Sequence, residues 1–189
     1  ELLIKYNIKP CKEVWLNDKL FYINKKNNPC YRFKIGNLYK IYQPLASDKK
    51  KKWLSNFDLN ILQGFTQLRY TDTLIITKSY KDVIILNEFY NKSVIALNAE
   101  GNHIPEKMLE FFKTKFKNIL CFYDSDEAGI KFMERNKKDY NFDYFYLNPK
   151  LLEQGIKDIS DYIKQYGVIS FQDIKEDLIY NSKKIKKLI

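Results

Sequence analysis

The chain has 189 residues, 45% hydrophobic and 16% aromatic, enough to bury a core and to argue against intrinsic disorder. Six glycines and five prolines argue against a collagen-like or linker-dominated chain, and no apolar run approaches the roughly 20 residues that span a bilayer. The net charge of +10 is uneven: residues 1–64 hold 13 basic and 5 acidic side chains, a net +8, whereas residues 65–189 hold 20 and 18. That asymmetry predicts a polyanion partner for the N-terminal third and a different task for the rest.

Glu1-Leu-Leu-Ile-Lys-Tyr6 has neither the basic nor the long apolar region of a secretory signal, and without an initial Met the chain reads as a piece of a longer protein. The expected location is cytoplasmic. Cys11, Cys30 and Cys121 form no Cys-x-x-Cys pair, so three free thiols are expected.

In chain order, residues 2–8 read as the tail of a helix. Val14 to Leu16, Leu20 to Ile23, Cys30 to Ile35 and Leu38 to Tyr42 are short aromatic or β-branched runs separated by Asn17-Asp18, Asn27-Asn28-Pro29 and Gly36-Asn37, which predicts antiparallel hairpins. Alternation in the last two would put basic side chains on one face and apolar ones on the other. Trp15 and Phe21 are expected in the core. Lys49-Lys-Lys-Lys-Trp53 is a cationic run ending in an aromatic. From Leu74 the pattern changes. Strands are predicted at 74–77, 94–97, 119–123 and 144–147, with helices at 82–90, 105–116, 127–138, 159–165 and 170–187. Strands alternating with helices imply a parallel sheet. The expected fold class is α+β, with a small antiparallel basic N-terminal subdomain (1–66), an α/β domain with a parallel sheet (67–167) and a C-terminal helix (168–189).

In an open parallel sheet, ligands bind beyond the carboxyl ends of the strands. Glu100, Asp124, Asp126, Asp158 and Asp161 are expected there. Carboxylates so grouped repel unless protonated or bridged by a cation, for which Mg²⁺ or Mn²⁺ is the natural guest. Each Asp alone also reads as a helix cap. In the N-terminal part Arg32, Lys34, Lys40, Lys49, Lys50, Lys51, Lys52 and Trp53 combine cations for phosphates with rings for bases, the requirements of a single-stranded template groove.

Leu74 to Val83, Cys121-Phe-Tyr-Asp-Ser-Asp-Glu-Ala-Gly129 and Lys157-Asp-Ile-Ser-Asp161 resemble the three motifs of a TOPRIM domain of the bacterial-type and phage DNA primase variety. Tyr39 to Pro44 with Lys52-Trp53 resembles the basic subdomain that precedes it in phage primases. The resemblance covers roughly residues 30–165 and implies an RNA-polymerase core that makes short primers on single-stranded DNA from ribonucleoside triphosphates, in company with a replicative helicase or other domains of its parent chain, and with no membrane. It implies that Asp124 and Asp126, with Asp158 and Asp161, hold the divalent metals, and that Lys81 and Lys157 contact the nucleotide. Where the family has a Glu-Gly pair after the first strand, this chain has Lys78-Ser79. Three accounts stay open: Glu100 supplies the missing carboxylate, Lys78 takes the place of one cation in the catalytic set, or the site is catalytically weak. The alternatives to a primase are a TOPRIM nuclease and a non-catalytic single-stranded-DNA-binding or assembly domain of a phage replication protein.

Overall fold

The structure is a computed structural model that describes residues 1–23, 27–58, 60–99 and 101–189, with Lys49 described by its backbone alone. It divides into two compact units, Glu1–Ile61 and Leu62–Ile189.

The first unit opens with α1 (Leu2–Lys5) and β1 (Ile8–Pro10), so the expected helix tail gives way to a strand by Ile8. β2 (Glu13–Leu16) and β3 (Lys19–Ile23) form a hairpin, with Asn17 and Asp18 both at positive φ, the backbone of a two-residue turn that matches strand twist. β4 (Tyr31–Ile35) and β5 (Leu38–Tyr42) form a second hairpin around Gly36-Asn37. The cationic run is a single helical turn, α2 (Lys49–Lys52), capped by the Asp48 side chain, and β6 (Trp53–Ser55) follows. The order β1-β4-β5-β6 is antiparallel throughout. Cys11, Val14, Tyr22 and Cys30 make a small core with Phe21 against it. Trp15 is 57% exposed, not in the core: on a two-stranded ribbon its face is left uncovered, and its indole N–H donates to Glu13.

The second unit contains β7 (Thr73–Thr77), α3 (Tyr80–Glu88), β8 (Ser93–Ala96), α4 (Glu106–Lys115), β9 (Asn118–Phe122), α5 (Glu127–Tyr140), β10 (Asp143–Leu147), α6 (Ile159–Tyr166), α7 (Phe171–Ile174) and β11 (Leu178–Tyr180). The sheet order is β11-β10-β9-β7-β8, parallel except for β11. Residues 74–77 of β7 pair in parallel with 119–122 of β9, as a parallel sheet requires. These strands are buried on both faces, which is why they read as continuous apolar runs. Leu74, Ile76, Ile95, Cys121 and Tyr123 form one core with Phe112 of α4 and Met133 of α5. The chain moves from β7 to β8 in one direction across the sheet and from β8 to β9 and β10 in the other. Right-handed crossovers therefore put α3 on one face and α4 and α5 on the opposite face.

Residues 168–189 are not the expected helix. Ser170 caps a first turn, but α7 stops at Ile174, and Leu178-Ile-Tyr180 pairs antiparallel with β10, covering an edge that would otherwise be open. The thiols of Cys11, Cys30 and Cys121 are free and buried.

Candidate functional site

Helices leave β7 and β9 toward opposite faces, so the crevice beyond their carboxyl ends is the sheet's topological switch point, where such folds bind ligands. Lys78 immediately follows β7 and Asp124 stands two residues beyond β9. Two features fix Asp124. Gly129, in the first turn of α5, packs onto the Asp124 backbone so closely that a Cβ there would overlap its carbonyl oxygen and lie 2.9 Å from its carbonyl carbon. The Ser125 N–H donates to the Lys157 carbonyl at 2.8 Å, which brings Lys157 and Asp158 beside Asp124.

At the centre of this cluster is an ammonium. Lys78 Nζ contacts Asp124 Oδ1 and lies 3.5 Å from Asp158 Oδ2. Lys157 Nζ approaches the other Asp124 oxygen at 3.1 Å. The Lys78, Asp124 and Asp158 side chains are 15%, 5% and 7% exposed, so solvent screens them little. Burial works against the Lys78 charge, but Asp124, then Asp158 and Asp82, outweigh it and hold the ammonium above the usual lysine range. Burial likewise opposes the Lys157 charge, and Asp124 again tips the balance upward. Burial pushes the Asp124 carboxyl up, with Lys78 pulling it back toward ionisation.

Asp82 is a member of this cluster that the sequence reading missed. It is 1% exposed in the first turn of α3. Ser79 caps the helix by accepting from the Asp82 N–H, and its hydroxyl donates to Asp82 Oδ2 at 2.6 Å. Burial, then the nearby Asp158 charge, push the Asp82 carboxyl up to about 7, against the Ser79 hydrogen bond and the charges of Lys78 and Lys81. The signal in the sequence was Ser79-x-x-Asp82, which reads as a capping motif and is one.

The divalent metal that the family resemblance implies can be tested against these residues. Mg²⁺ takes oxygen ligands at about 2.0–2.1 Å in near-octahedral geometry. Among the described residues no three of Asp, Glu, His or Cys gather as such a set. Asp126 Oδ1 accepts from the Gly129 N–H at 2.9 Å, and Asp158 Oδ1 from the Asp161 N–H at 2.7 Å, both as helix caps. Asp161 Oδ2 accepts from the Lys157 N–H at 3.5 Å. In this arrangement Asp126 and Asp158 each give one oxygen to a helix cap, Asp124 and Asp158 face Lys78, and Asp161 faces the Lys157 backbone. Glu100 lies outside the described residues. The set does not fit the metal. Lys81, expected at a nucleotide, donates to Ser160 Oγ at 3.0 Å and so ties α3 to α6.

In the first unit, the register Phe33↔Lys40 places Lys40 on the face of Phe33, and Tyr31↔Tyr42 and Tyr42↔Trp53 add three more rings to it. Trp53 stacks on Tyr42 with centroids 4.0 Å apart, and Lys40 Nζ lies 5.1 Å over the Trp53 ring. Arg32 and Lys34 stand on the opposite face, 5.6 and 5.7 Å from the Tyr39 ring. The expected single basic face is thus two faces, because cross-strand register rather than alternation within one strand decides which cations meet. Burial lowers the Lys40 pKa to about 8. Lys50, Lys51 and Lys52 lie on α2, with Lys51 3.9 Å from Asp48.

Residues 75–163 match the Toprim-like family Toprim_2. No curated protein sequence matches the chain. Among solved structures, the DnaG catalytic core is similar at 13% identity and a TM-score of 0.62, over 95% of this chain and 68% of that one. The primase fragment of the bacteriophage T7 primase-helicase is similar at 16% identity and a TM-score of 0.61, over 93% and 69%. A DnaG primase catalytic domain bound to single-stranded DNA is similar at 14% identity and a TM-score of 0.52, over 94% of this chain and 60% of that one, so the chain spans under two thirds of that structure. Residues 75–163 form a Toprim-like domain, and over most of its length the chain has the fold of the DnaG and T7 primase catalytic cores.

Proposed function

We propose that the chain is the core of a primase-type replication protein that engages single-stranded DNA as template and ribonucleoside triphosphates as substrates. One observation carries this reading: a basic antiparallel unit and a Toprim-like domain stand in one chain, in that order, in a fold shared with primase catalytic cores. A similar primase domain is known bound to single-stranded DNA, which supports the same partner here. In this reading Lys40 and Lys50 to Lys52 track template phosphates beside Trp53, with Arg32 and Lys34 contributing from the other face of the sheet. Lys157, paired with Asp124 but with its side chain 48% exposed, is the lysine this reading turns toward a triphosphate, with Lys81 on α3 as a second contact.

The Lys78 ion pairs favour a second reading, a non-catalytic single-stranded-DNA-binding or assembly domain with the same fold. Incubation with single-stranded DNA, ribonucleotides and Mg²⁺ or Mn²⁺ separates the two. Short RNA products are expected of a primase core, whereas DNA binding without products selects the second reading. Cleaved DNA would mean a nuclease, and no DNA binding at low salt would overturn both.

Lys40 supplies a pH signature. Its pKa near 8 means that it is charged at pH 7 and neutral by pH 9. A phosphate contact made by its ammonium is therefore present below about pH 8 and lost above. Affinity for single-stranded DNA should fall between pH 7 and 9. Lys40→Arg, which keeps its charge across that range, should flatten the decline. Equal pH profiles for the two proteins would remove Lys40 from the interface.

A further inference from the structure

We infer that Lys78 is a resident counter-ion: its ammonium fills the seat between Asp124 and Asp158 that a bridging divalent cation would take, and the acid cluster keeps its arrangement with no metal bound. Its test needs neither template nor triphosphate.

Three observations lead to it. The first is position. Lys78 is the first residue beyond β7, and Thr77, its neighbour, pairs with Phe122 at the end of β9, so strand pairing sets the root of the Lys78 side chain at the switch point. A cation covalently attached to the wall of its site cannot be diluted away, whereas a hydrated Mg²⁺ must shed water to enter. The second is contact. Nζ reaches carboxylate oxygens from two motifs far apart in sequence, and all three side chains are largely withdrawn from water. The third is charge. The buried carboxyls are Asp82, Asp124 and Asp158, and the amines facing them are Lys78 and Lys157, with Lys81 close to Asp82. Lys78, Lys157 and Lys81 offset the three buried carboxyls, and the half-buried Asp126 also acts on Lys157. A further dipositive ion would have to expel an ammonium or leave uncompensated positive charge out of water.

The opposite change should convert the site. Lys78→Glu removes the resident cation and adds a ligand beside Asp124 and Asp158. Lys78→Met removes the cation alone. The experiment titrates each protein with Mn²⁺, reading the free-ion electron paramagnetic resonance signal, and compares melting temperatures in Mn²⁺ and in EDTA. Asp124→Asn identifies ions bound at the cluster. For wild type, equal melting temperatures in the two buffers are expected, with no ion held more tightly than about 1 mM that Asp124→Asn removes. Lys78→Glu should take up one ion more tightly than that and melt higher in Mn²⁺ than in EDTA. If Lys78→Glu does not fold, Lys78→Met should show the same gain more weakly. Wild type holding an Asp124-dependent ion below about 1 mM would overturn the inference, as would a folded Lys78→Glu chain that takes up no Mn²⁺.

Discussion

Lys78→Met should destabilise the chain by about 3–5 kcal/mol at pH 7, the cost of leaving a buried carboxylate without its partner. Asp124 and Asp158 would remain withdrawn from water, with only the more exposed Lys157 opposite Asp124. The pH dependence follows from the direction of each shift. The Lys78 pKa is raised, so its contribution is complete below the ordinary lysine value near 10.5 and is lost only at higher pH. In the variant, burial acts on Asp124 with less opposition, so its folded-state pKa climbs further. A carboxyl with a raised pKa favours folding at low pH and penalises it as pH rises through that value. The gap between wild type and Lys78→Met should therefore narrow toward pH 4 and be widest at neutral pH. Urea denaturation across that range measures it. Exposed Lys107 on α4 is the control, and Lys107→Met should cost under about 0.5 kcal/mol. A Lys78→Met loss no larger than that of Lys107→Met would mean that the ion pair holds nothing together.

The second large effect belongs to Gly129→Ala. The new methyl group would meet backbone rather than a flexible side chain: the Asp124 carbonyl oxygen, its carbonyl carbon at 2.9 Å and its nitrogen at 3.0 Å. Neither β9 nor the first turn of α5 can move without disturbing the core around Cys121, Tyr123 and Met133. A loss of about 3 kcal/mol, the upper end of overpacking effects, is expected. Displacement of Asp124 from Lys78 should add a loss of function beyond the loss of stability. Gly101→Ala is the matched control, because its methyl would meet only the Phe132 ring at 3.6 Å, an ordinary contact. Thermal melts of the two variants separate local backbone crowding from a general intolerance of alanine. Equal melting temperatures would show that α5 can shift.

The second unit was legible in the sequence wherever burial left a simple imprint. β7, β8 and β9 are covered on both faces and read as unbroken apolar runs, and their alternation with helices identifies the parallel sheet. Asp-x-Asp-x-x-Gly was legible as a motif because Gly129 meets a steric demand that only glycine satisfies. The segment 168–189 misled because Ser170-x-x-Asp173 does begin a helix, while the three residues of β11 are too few to show a period. The acids of the site were visible, but not their partners. Whether a carboxylate faces a metal, a helix terminus or an ammonium depends on side-chain direction and on contacts between segments up to 80 residues apart, as between Lys78 and Asp158. Asp82 shows the limit well: it is a genuine cap partner of Ser79 and, through burial, also a member of the charged cluster. On the basic sheet, the pairing of Phe33 with Lys40 moved Lys40 away from Arg32 and Lys34, and register of that kind is not written in either strand alone.

The central claim, a primase-type core that engages single-stranded DNA, is tested most directly by fluorescence anisotropy of a labelled single-stranded oligonucleotide against the full chain over a range of salt. Binding should weaken with salt on a log–log slope of about −0.7 per phosphate contact. Replacing Lys50, Lys51 and Lys52 by Gln should weaken the affinity and reduce the slope by up to about 2. Binding with no salt dependence, or a slope untouched by the triple substitution, would return the lysine run to an ordinary solvated surface. No binding even at low salt would contradict the account.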